Sequence, residues 1–553
     1  MDNGIQAPVD DGIQAPVDDR LPAIIIGVLF SVLNAVVTVY LAMKTGMADG
    51  IAFLLLFLSF FVFVVTRTVK SRAFVYVMAI MMSSTAAVVA YTDGFGAIII
   101  SGEPFAVPDY VMAALLSLAS IIGLLLSLYF TDYFLKSGFP WPMQKVTAAI
   151  VTMLSAEKKD AAFKASTVRM SIAGLASGGI SLLRGLAVIP ETLGTTVAGI
   201  SLSPMMLGIG LLIGFQACLQ IALGAIASLA VLVFVEGFST DYIVHMRNPW
   251  VFSTAISMMV TTAFISLYVI VKPYFSRRPK PAGGEAGEKP ATAPDGGRAR
   301  RRLPGMRSLM LVAAIGVAAI ILQLFVDVPA LVFLICIPIA VLFMIIETRG
   351  RAEMSMGVGI SSFVIILLVG LAFDNIVPLL ILEGFVVAMV MSFSLSLALI
   401  KTAEYSNVDA RGLPWVLVIG SIAGSIVCIP IIRLLDAIYG VGTNALPAPY
   451  SVMWLEMATS AVAGAPSPSI DFYLILAGIV IALVLYRYKI SAVAVAIGLL
   501  LPVSVTAMIF AGGILAWAIH KKGWLKDDNG ITASGLIAGD ILVGLAISLR
   551  SLL

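Results

Sequence analysis

Three acidic side chains stand inside long apolar stretches of the sequence and are its most informative candidates for chemistry. They are Glu383, Glu456 and Asp540. A carboxylate within a membrane span is energetically costly, so such a residue is a functional candidate by default. A carboxylate can hold a proton while it is buried and release that proton when it faces water. We therefore predict that one of these three residues carries a coupled proton.

A second group of residues is suited to binding a small polar solute. Prolines inside an apolar helix leave backbone carbonyls without donors, and such carbonyls can line a polar cavity. We predict roles in substrate binding or translocation for Asn34, Tyr40, Lys44, Pro140, Pro142, Lys401, Pro447, Pro449 and Glu456. Two interpretations of Lys44 stay open, namely binding of a peptide carboxylate and marking of the membrane surface.

Three other charged residues within apolar stretches are expected to be structural. Arg433 and Asp436 are three residues apart, so on a helix they can face each other and form an ion pair. Arg184 is expected either to find an acidic partner or to extend its charged end toward the membrane surface.

The composition places these residues in a membrane protein. Of the 553 residues, 60% are apolar and only 12% are charged, against about 25% charged residues in a typical soluble domain. A soluble protein of this size would need far more charge to cover its surface. We predict an all-α fold, a polytopic membrane bundle of about 14 to 17 helices.

The apolar runs give the predicted positions of the helices, since about 20 apolar residues cross the hydrocarbon layer. The first half has predicted spans at 21–43, 51–69, 73–91, 110–135, 166–189, 204–235 and 250–273. The second half has them at 308–326, 329–346, 354–373, 376–400, 413–439, 470–486, 492–519 and 531–552. Two shorter segments, 140–154 and 449–463, are predicted to be either spans or re-entrant half-helices.

Four regions follow from the distribution of charge and of apolar runs. Residues 1–20 contain a tandem acidic repeat and are expected to form a disordered tail. Residues 21–275 and 308–553 are predicted to be two transmembrane repeats. Between them, the basic linker 276–307 is expected to be cytoplasmic, because positively charged loops stay on that side.

Short sequence motifs recur in the same order in both halves and indicate an internal duplication. Ile209-Gly210-Leu211-Leu212 returns as Ile497-Gly498-Leu499-Leu500, and each copy is followed 14 residues after its glycine by a second glycine-containing match, Gly224-Ala225-Ile226 and Gly512-Gly513-Ile514. Phe139-Pro140-Trp141-Pro142 is matched by Leu446-Pro447-Ala448-Pro449, and Lys44-Thr45 by Lys401-Thr402. Repeats with broken helices are the usual architecture of secondary transporters, and Pro502 is a candidate for such a break.

The same segments resemble the oligopeptide transporter superfamily, and in particular its Yellow Stripe-like and prokaryotic branches. The segment Asn34–Gly46 resembles the family's N-x-Y-x-G-L-K-T-G, and the two Pro-x-Pro segments resemble its L-P-F-P and L-P-A-P. Gly498–Ser504 resembles G-L-Y-L-P-L-S, and Ala533–Gly544 resembles A-S-G-L-I-A-G-E-x-L-V-G. The similarity runs from about Leu21 to the end of the chain.

This resemblance implies uptake of oligopeptides or metal–chelate complexes, driven by the proton gradient. Three positions depart from the family pattern. Met143-Gln144 stand where members often have Glu-Gly, Ala403 replaces the glycine of the second K-T-G, and Asp540 replaces a glutamate. We expect a proton symporter of peptides or related polar compounds working by alternating access. A transporter of metal chelates resembling siderophores or nicotianamine is the alternative, and a channel or a non-transporting scaffold is less favoured.

Other classes of function lack their sequence signatures. The chain has no G-x-x-x-x-G-K-[ST] nucleotide loop and no H-E-x-x-H, so we expect neither an ATP-driven pump nor an enzyme. The three cysteines and two histidines show no metal-ligand spacing, so we expect no cofactor and no metal site. The expected partners are a small-molecule or peptide substrate, protons and membrane lipid, without nucleic acid. Homo-oligomerisation stays open, and the expected location is a prokaryotic plasma membrane.

Overall fold

The apolar runs form helices, because a bilayer interior offers no partner for backbone groups that a helix does not satisfy itself. The computed structural model describes residues 20–45, 59, 62–65, 69–139, 141–155, 161–195, 197–238, 240–276, 305–354, 366, 369–443, 445–464, 468–522 and 529–550. The predicted tail, nearly all of the basic linker and most of the spans 51–69 and 354–373 lie outside these residues.

The first half contains a short hairpin in addition to its helices. Its elements are α1 (Arg20–Thr45), α2 (Ser71–Ser101), α3 (Asp109–Lys136), α4 (Pro142–Ser155), α5 (Ala161–Gly185), β1 (Thr192–Gly194), β2 (Gly199–Ser201), α6 (Pro204–Ile213), α7 (Phe215–Phe234), α8 (Tyr242–Arg247) and α9 (Pro249–Ser276). The two strands pair antiparallel, with Leu193 opposite Ile200.

The regular elements in the described part of the second half are helices, with one isolated bridge between Val441 and Leu446. Its helices are α10 (Met306–Phe325), α11 (Ala330–Met354), α12 (Ile376–Tyr405), α13 (Leu413–Tyr439), α14 (Pro449–Ala463), α15 (Phe472–Arg487), α16 (Ala492–Leu500), α17 (Val503–Lys522) and α18 (Asn529–Arg550), with 3₁₀ turns at Gly370–Ala372 and Ala410–Gly412. The predicted polytopic all-α membrane bundle is thus confirmed.

Nine helices within the described part of the chain are long and apolar enough to cross a membrane: α1, α2, α3, α7, α10, α11, α12, α13 and α17. By contrast, α4 has 14 residues and α14 has 15, which is about 21 to 23 Å of helix. The hydrocarbon layer is about 30 Å thick. Helices α4 and α14 are therefore too short to span it, in agreement with the re-entrant interpretation of 140–154 and 449–463.

Two runs predicted as single spans are each broken in the structure. The run 204–235 divides at Gly214, whose φ of 82° and ψ of 168° lie outside the helical region. The run 492–519 divides at Leu501 and Pro502. Proline has no N–H to continue the helical hydrogen bonds, so the second break falls at the candidate Pro502. The single spans predicted over 204–235 and 492–519 are both wrong, because hydropathy does not register a turn of one or two residues.

The two Pro-x-Pro segments have the same backbone geometry. Trp141 and Ala448, the middle residues, have φ of 44° and 45°. The N–H of Trp141 donates to the carbonyl of Ala352 at 2.8 Å, and the N–H of Ala448 donates to the carbonyl of Met43 at 2.7 Å. Each segment is thus fastened near the end of a long helix of the other half, and α1 corresponds to α11.

Because α1 corresponds to α11, one of the short sequence matches between the halves does not join equivalent positions. Lys44 lies on α1, one residue after Met43, whereas Lys401 lies on α12. The counterpart of α12 is α2, because these two helices cross each other and each packs against the re-entrant helix of the other half. The echo of Lys44-Thr45 in Lys401-Thr402 therefore does not mark equivalent positions.

Close glycine contacts hold the broken helices together across the halves. A Cβ atom on Gly210 of α6 would overlap backbone of α17, and one on Gly512 of α17 would overlap backbone of α6. Gly224 of α7 and Gly498 of α16 are related in the same reciprocal way. The four glycines matched in the sequence thus form two reciprocal contacts, as expected for close helix packing in lipid.

Candidate functional site

The helices α2 and α12 cross in the protein interior, and their contact is reciprocal. A Cβ on Gly94 would lie 3.0 Å from the carbonyl oxygen of Leu380, and a Cβ on Gly384 would lie 3.3 Å from that of Ala90. Each glycine therefore faces the carbonyl four residues before the other glycine. Asp93 lies in the last third of α2 and Glu383 in the first third of α12, so the crossing brings the two acidic–glycine pairs together although they are not equivalent positions of the two halves.

The crossing therefore places one carboxylate of each half in the protein interior. The side chain of Glu383 is fully buried and that of Asp93 is 8% exposed. Tyr450 of α14 lies within electrostatic range of Asp93, and Cys336 of α11 lies within range of Glu383. Both carboxylates are thus removed from water at the contact between the two helices.

The re-entrant helix α14 lies against α2 on the Asp93 side of the crossing. The hydroxyl of Ser451 donates to the carbonyl of Thr92 at 3.1 Å. Pro449 begins α14, and Pro447 is buried just before it. In the first half, Pro142 begins α4, which packs against α12, and Pro140 lies outside the described residues. The second Pro-x-Pro segment thus positions α14 next to Asp93, whereas α4 meets the opposite end of α12 from Glu383, where the ammonium of Lys145 lies 5.9 Å from the centre of the Tyr405 ring.

The polar residues predicted on the first helix contact two different neighbours. The amide of Asn34, which is buried, donates to the carbonyl of Met81 at 3.2 Å and to the hydroxyl of Thr85 at 3.0 Å, so it fastens α1 to α2. The ammonium of Lys44 donates to the carbonyl of Ala445 at 2.9 Å. Lys44 therefore lies at the loop that leads into the second Pro-x-Pro segment.

The end of α1 is also electrostatically linked to the hairpin region. Glu191, at the base of the hairpin, and Arg184 of α5 lie within electrostatic range of both Tyr40 and Lys44. The ring of Tyr40 is 6.3 Å from that of Tyr439, centroid to centroid. The end of α1, the α13–α14 loop and the hairpin base thus form one polar region between the halves.

Asp540, a predicted proton carrier, is held in a dense network of donors. Its Oδ1 accepts from the hydroxyl of Ser181 and from the guanidinium of Arg184. Its Oδ2 accepts from the hydroxyl of Ser203 at 2.6 Å and from the N–H of Met205 at 2.9 Å. Each oxygen thus accepts from two donors, so the geometry is that of a fixed ion pair, and the expected acidic partner of Arg184 is found.

Glu456 has a looser arrangement than Asp540. Its carboxylate is 3.2 Å from the Nε of Arg247, and the two side chains are 14% and 38% exposed. Arg247 belongs to α8 of the first half and Glu456 to α14 of the second, so this ion pair connects the halves.

The remaining predicted residues have structural contacts. The ammonium of Lys401 donates to the carbonyl of Leu135 at 3.3 Å and to Glu404 at 3.0 Å, and it lies 4.8 Å from the centre of the Tyr405 ring. Lys401 is distant in sequence and fold from the Lys44 region, so the structure does not bring the two lysines together.

The predicted pairing of Arg433 with Asp436 is wrong. Arg433 donates instead to Asp109 at 2.6 Å. Asp436 accepts from the N–H of Val441 at 2.9 Å, just after the end of α13. The reason is that the helix end offers Asp436 a backbone donor, which leaves Arg433 to reach the neighbouring α3.

Two functional candidates were missed from the sequence. Asp93 carries a weak signal, an acidic residue followed by glycine at the edge of an apolar run. His245 carries none, since its partners are brought to it only by folding. Its Nε2 is 2.7 Å from the hydroxyl of Ser228, and its Nδ1 is 2.9 Å from the carboxylate of Glu236.

The break in the second half is contacted by groups from the first half. The hydroxyl of Tyr242 donates to the carbonyl of Leu500 at 3.0 Å. The N–H of Val503 donates to the carbonyl of Val197, in the turn between β1 and β2, at 3.0 Å. No group of three or more His, Cys, Asp or Glu side chains suited to a metal ion occurs within the described ranges.

Two halves with matching re-entrant and broken helices, and buried carboxylates at their crossing, define a multi-pass membrane transporter. The sequence model of the family described as OPT oligopeptide transporter protein matches residues 21–550. The chain therefore belongs to the OPT oligopeptide transporter family, whose members are transporters and not enzymes. No individual curated protein matches the chain.

Proposed function

We propose that this transporter imports oligopeptides or related small polar compounds together with protons, by alternating access, across a prokaryotic plasma membrane. The observation that supports this proposal is the burial of Asp93 and Glu383, one from each half, at the crossing of α2 and α12. Each half contributes one buried carboxylate next to a glycine that permits close helix contact.

Alternating access would change the exposure of these carboxylates to water, and with it whether they hold a proton. Transporters built from repeats move one repeat against the other around a central site. A carboxylate at the contact is charged when water reaches it and holds a proton when the contact closes. Asp93 and Glu383 lie where such a movement changes the access of water, so they are our preferred coupling residues.

The other predicted coupling residues have different roles in this proposal. Glu456 is the alternative carrier, because it has a single cationic partner, Arg247, and its side chain is partly exposed. Asp540 is assigned a structural role, because its two oxygens already accept from four donors. It anchors α5 and the start of α6 to α18.

Substrate recognition is proposed for the polar region between the end of α1 and the second Pro-x-Pro segment. Lys44 reaches the carbonyl of Ala445 there, and a peptide carboxylate could replace that carbonyl as its partner. Tyr40 and Tyr439 supply aromatic surface beside it.

Uptake into proteoliposomes tests the function directly. A pooled mixture of di- to pentapeptides is supplied with and without an inward proton gradient. We expect accumulation only with the gradient. Equilibration without accumulation would indicate a channel. If the folded protein takes up no peptide, the alternative proposal of metal-chelate transport is favoured.

Neutral variants test the coupling residues. We expect Asp93→Asn and Glu383→Gln to abolish gradient-driven accumulation while exchange of internal for external peptide continues, because exchange needs no net proton movement. Asp109→Asn, which removes a half-exposed carboxylate from the edge of the bundle, is the control and should retain accumulation. Equal loss of accumulation and exchange in both coupling variants would contradict the assignment.

A further inference from the structure

Both helix breaks satisfy their central backbone groups within the adjoining helices. Gly214 donates its N–H to Gly210 and accepts from Cys218, each at 3.1 Å, and at the second break Leu501 donates to Ile497 at 2.9 Å while the carbonyl of Pro502 accepts from Thr506 at 3.1 Å. The second break has two further groups, the carbonyl of Leu500 and the N–H of Val503, that are paired with groups of the other half. The second break is therefore the one whose hydrogen bonds must change when the halves move apart.

The partners at the second break come from the hairpin and from α8. The hairpin tip is tightly folded, since Thr195 donates its N–H to the carbonyl of Ala198 at 2.9 Å. Val197 at this tip is fully buried, whereas Leu193 and Ile200 on the strands are 53% and 47% exposed. The Val197 side of the tip is therefore inserted into the protein while Thr195 stays exposed, and the carbonyl of Val197 accepts from the N–H of Val503.

The base of the hairpin is fixed to the surrounding helices. Leu202 donates its N–H to the carbonyl of Glu191 at 2.9 Å, which closes the base. The next residue, Ser203, donates its hydroxyl to Asp540 at 2.6 Å. We call the hairpin 191–202 the plug, because its base is anchored and Val197 is inserted beside the second break. The plug can leave the break when the helices that hold its base move.

We propose that the break between Leu500 and Val503 is a subsite for the backbone of a peptide substrate, occupied here by the plug. The break offers one acceptor, the carbonyl of Leu500, and one donor, the N–H of Val503. A peptide backbone offers the complementary pair. In this conformation the hydroxyl of Tyr242 stands in for a peptide N–H, and the carbonyl of Val197 stands in for a peptide carbonyl.

The energetic reason is the cost of leaving buried polar groups without partners. Such groups are almost always paired in proteins, and an unpaired one carries a large penalty. Withdrawal of the plug is therefore favourable only when another ligand with the same donor and acceptor arrives. This subsite rests on the proposed transport of peptides and adds backbone recognition to it.

Cysteine cross-linking provides the first test, and it needs no gradient. Val197→Cys and Val503→Cys are combined in a background whose three native cysteines are replaced by alanine. We expect an oxidant to join the two cysteines and block uptake, and a reductant to restore it. The single variant Val197→Cys is the control. Full uptake by the cross-linked protein would overturn the proposal.

Protection by ligand then identifies the chemistry of the subsite. A saturating pool of di- to pentapeptides should slow cross-linking at least fivefold. The same pool made from N-methylated residues lacks backbone donors and should not slow it. Equal protection by both pools, or protection by neither, would overturn the subsite. Protection without proton-driven uptake would leave the subsite in place and reject only the proposed coupling.

A single-atom variant tests the plug without added cysteines. Tyr242→Phe removes the hydroxyl that competes for Leu500, so the KM for peptides should fall roughly fivefold, the equivalent of one hydrogen bond of about 1 kcal/mol. Tyr129→Phe, which removes a hydroxyl paired with Ser308 at 2.8 Å outside this region, should leave the KM unchanged. An unchanged or raised KM in Tyr242→Phe would refute the competition.

Discussion

Replacement of Asp540 by asparagine distinguishes a structural ion pair from a coupling residue. The Asp540 side chain is 5% exposed and that of Arg184 is 17% exposed, so the pair is largely buried. Oδ1 faces Ser181 and Arg184, and Oδ2 faces Ser203 and the N–H of Met205. In either orientation the amide NH₂ of asparagine would point at a donor that cannot accept, because neither the guanidinium nor the backbone N–H has a lone pair to offer.

The expected cost follows from this burial. Breaking a buried pair by removing one charge destabilises proteins by roughly 3–5 kcal/mol, because the remaining charge is left uncompensated. We expect Asp540→Asn to lose about this much free energy of unfolding, measured by denaturation in mixed micelles. Ser203→Ala, which removes one neutral donor, should lose only about 1 kcal/mol.

A double variant sharpens the test. Arg184→Met combined with Asp540→Leu leaves no buried charge, and replacing a buried pair by apolar residues of similar size is often neutral or stabilising. The double variant should therefore recover much of the stability lost in Asp540→Asn. The reasoning fails if Asp540→Asn has wild-type stability but no longer accumulates substrate, since that result would make Asp540 a coupling residue.

Three further predictions concern contacts between elements. Gly424→Ala should destabilise the bundle by roughly 1–3 kcal/mol, because the new Cβ would lie 2.7 Å from three atoms of Ser84; an unchanged denaturation midpoint would contradict this. Exchanging Arg247 and Glu456 should restore the uptake that Arg247→Glu alone loses, because their partly exposed pair depends on opposite charge; no rescue would show that position matters more than charge. Ala448→Gly should raise the free energy of unfolding by up to about 1 kcal/mol, since its φ of 45° is unfavourable for a side chain; a thermal midpoint below wild type would contradict it.

Sequence reasoning predicted the helices better than their interruptions. The span 413–439 agrees with α13 at both ends, and the short segment 449–463 agrees with α14. Hydropathy averages over a window, so it gives the position of an apolar helix reliably. It cannot detect a single residue such as Gly214, where the chain turns without becoming more polar.

The proton-coupling candidates show a second limit of prediction from the sequence. Asp93 was missed because the predicted span ended at residue 91, where Thr92, Asp93 and Gly94 interrupt the apolar run. The structure extends α2 to Ser101 and buries this interruption against α12 and α14. Whether a polar helical turn is buried depends on the elements that pack against it, so the local sequence does not predict its burial.

The two breaks also differ in the contacts around them. The reciprocal contacts of Gly210 with Gly512 and of Gly224 with Gly498 hold the two broken helices in one unit. Each break bonds its central residues within the adjoining helices, at Gly214 in the first half and at Leu501 and Pro502 in the second. The second break in addition presents the carbonyl of Leu500 and the N–H of Val503 to groups of the first half. Separation of the halves leaves these two groups without partners, and this makes the second break the place where a substrate can exchange with the protein itself.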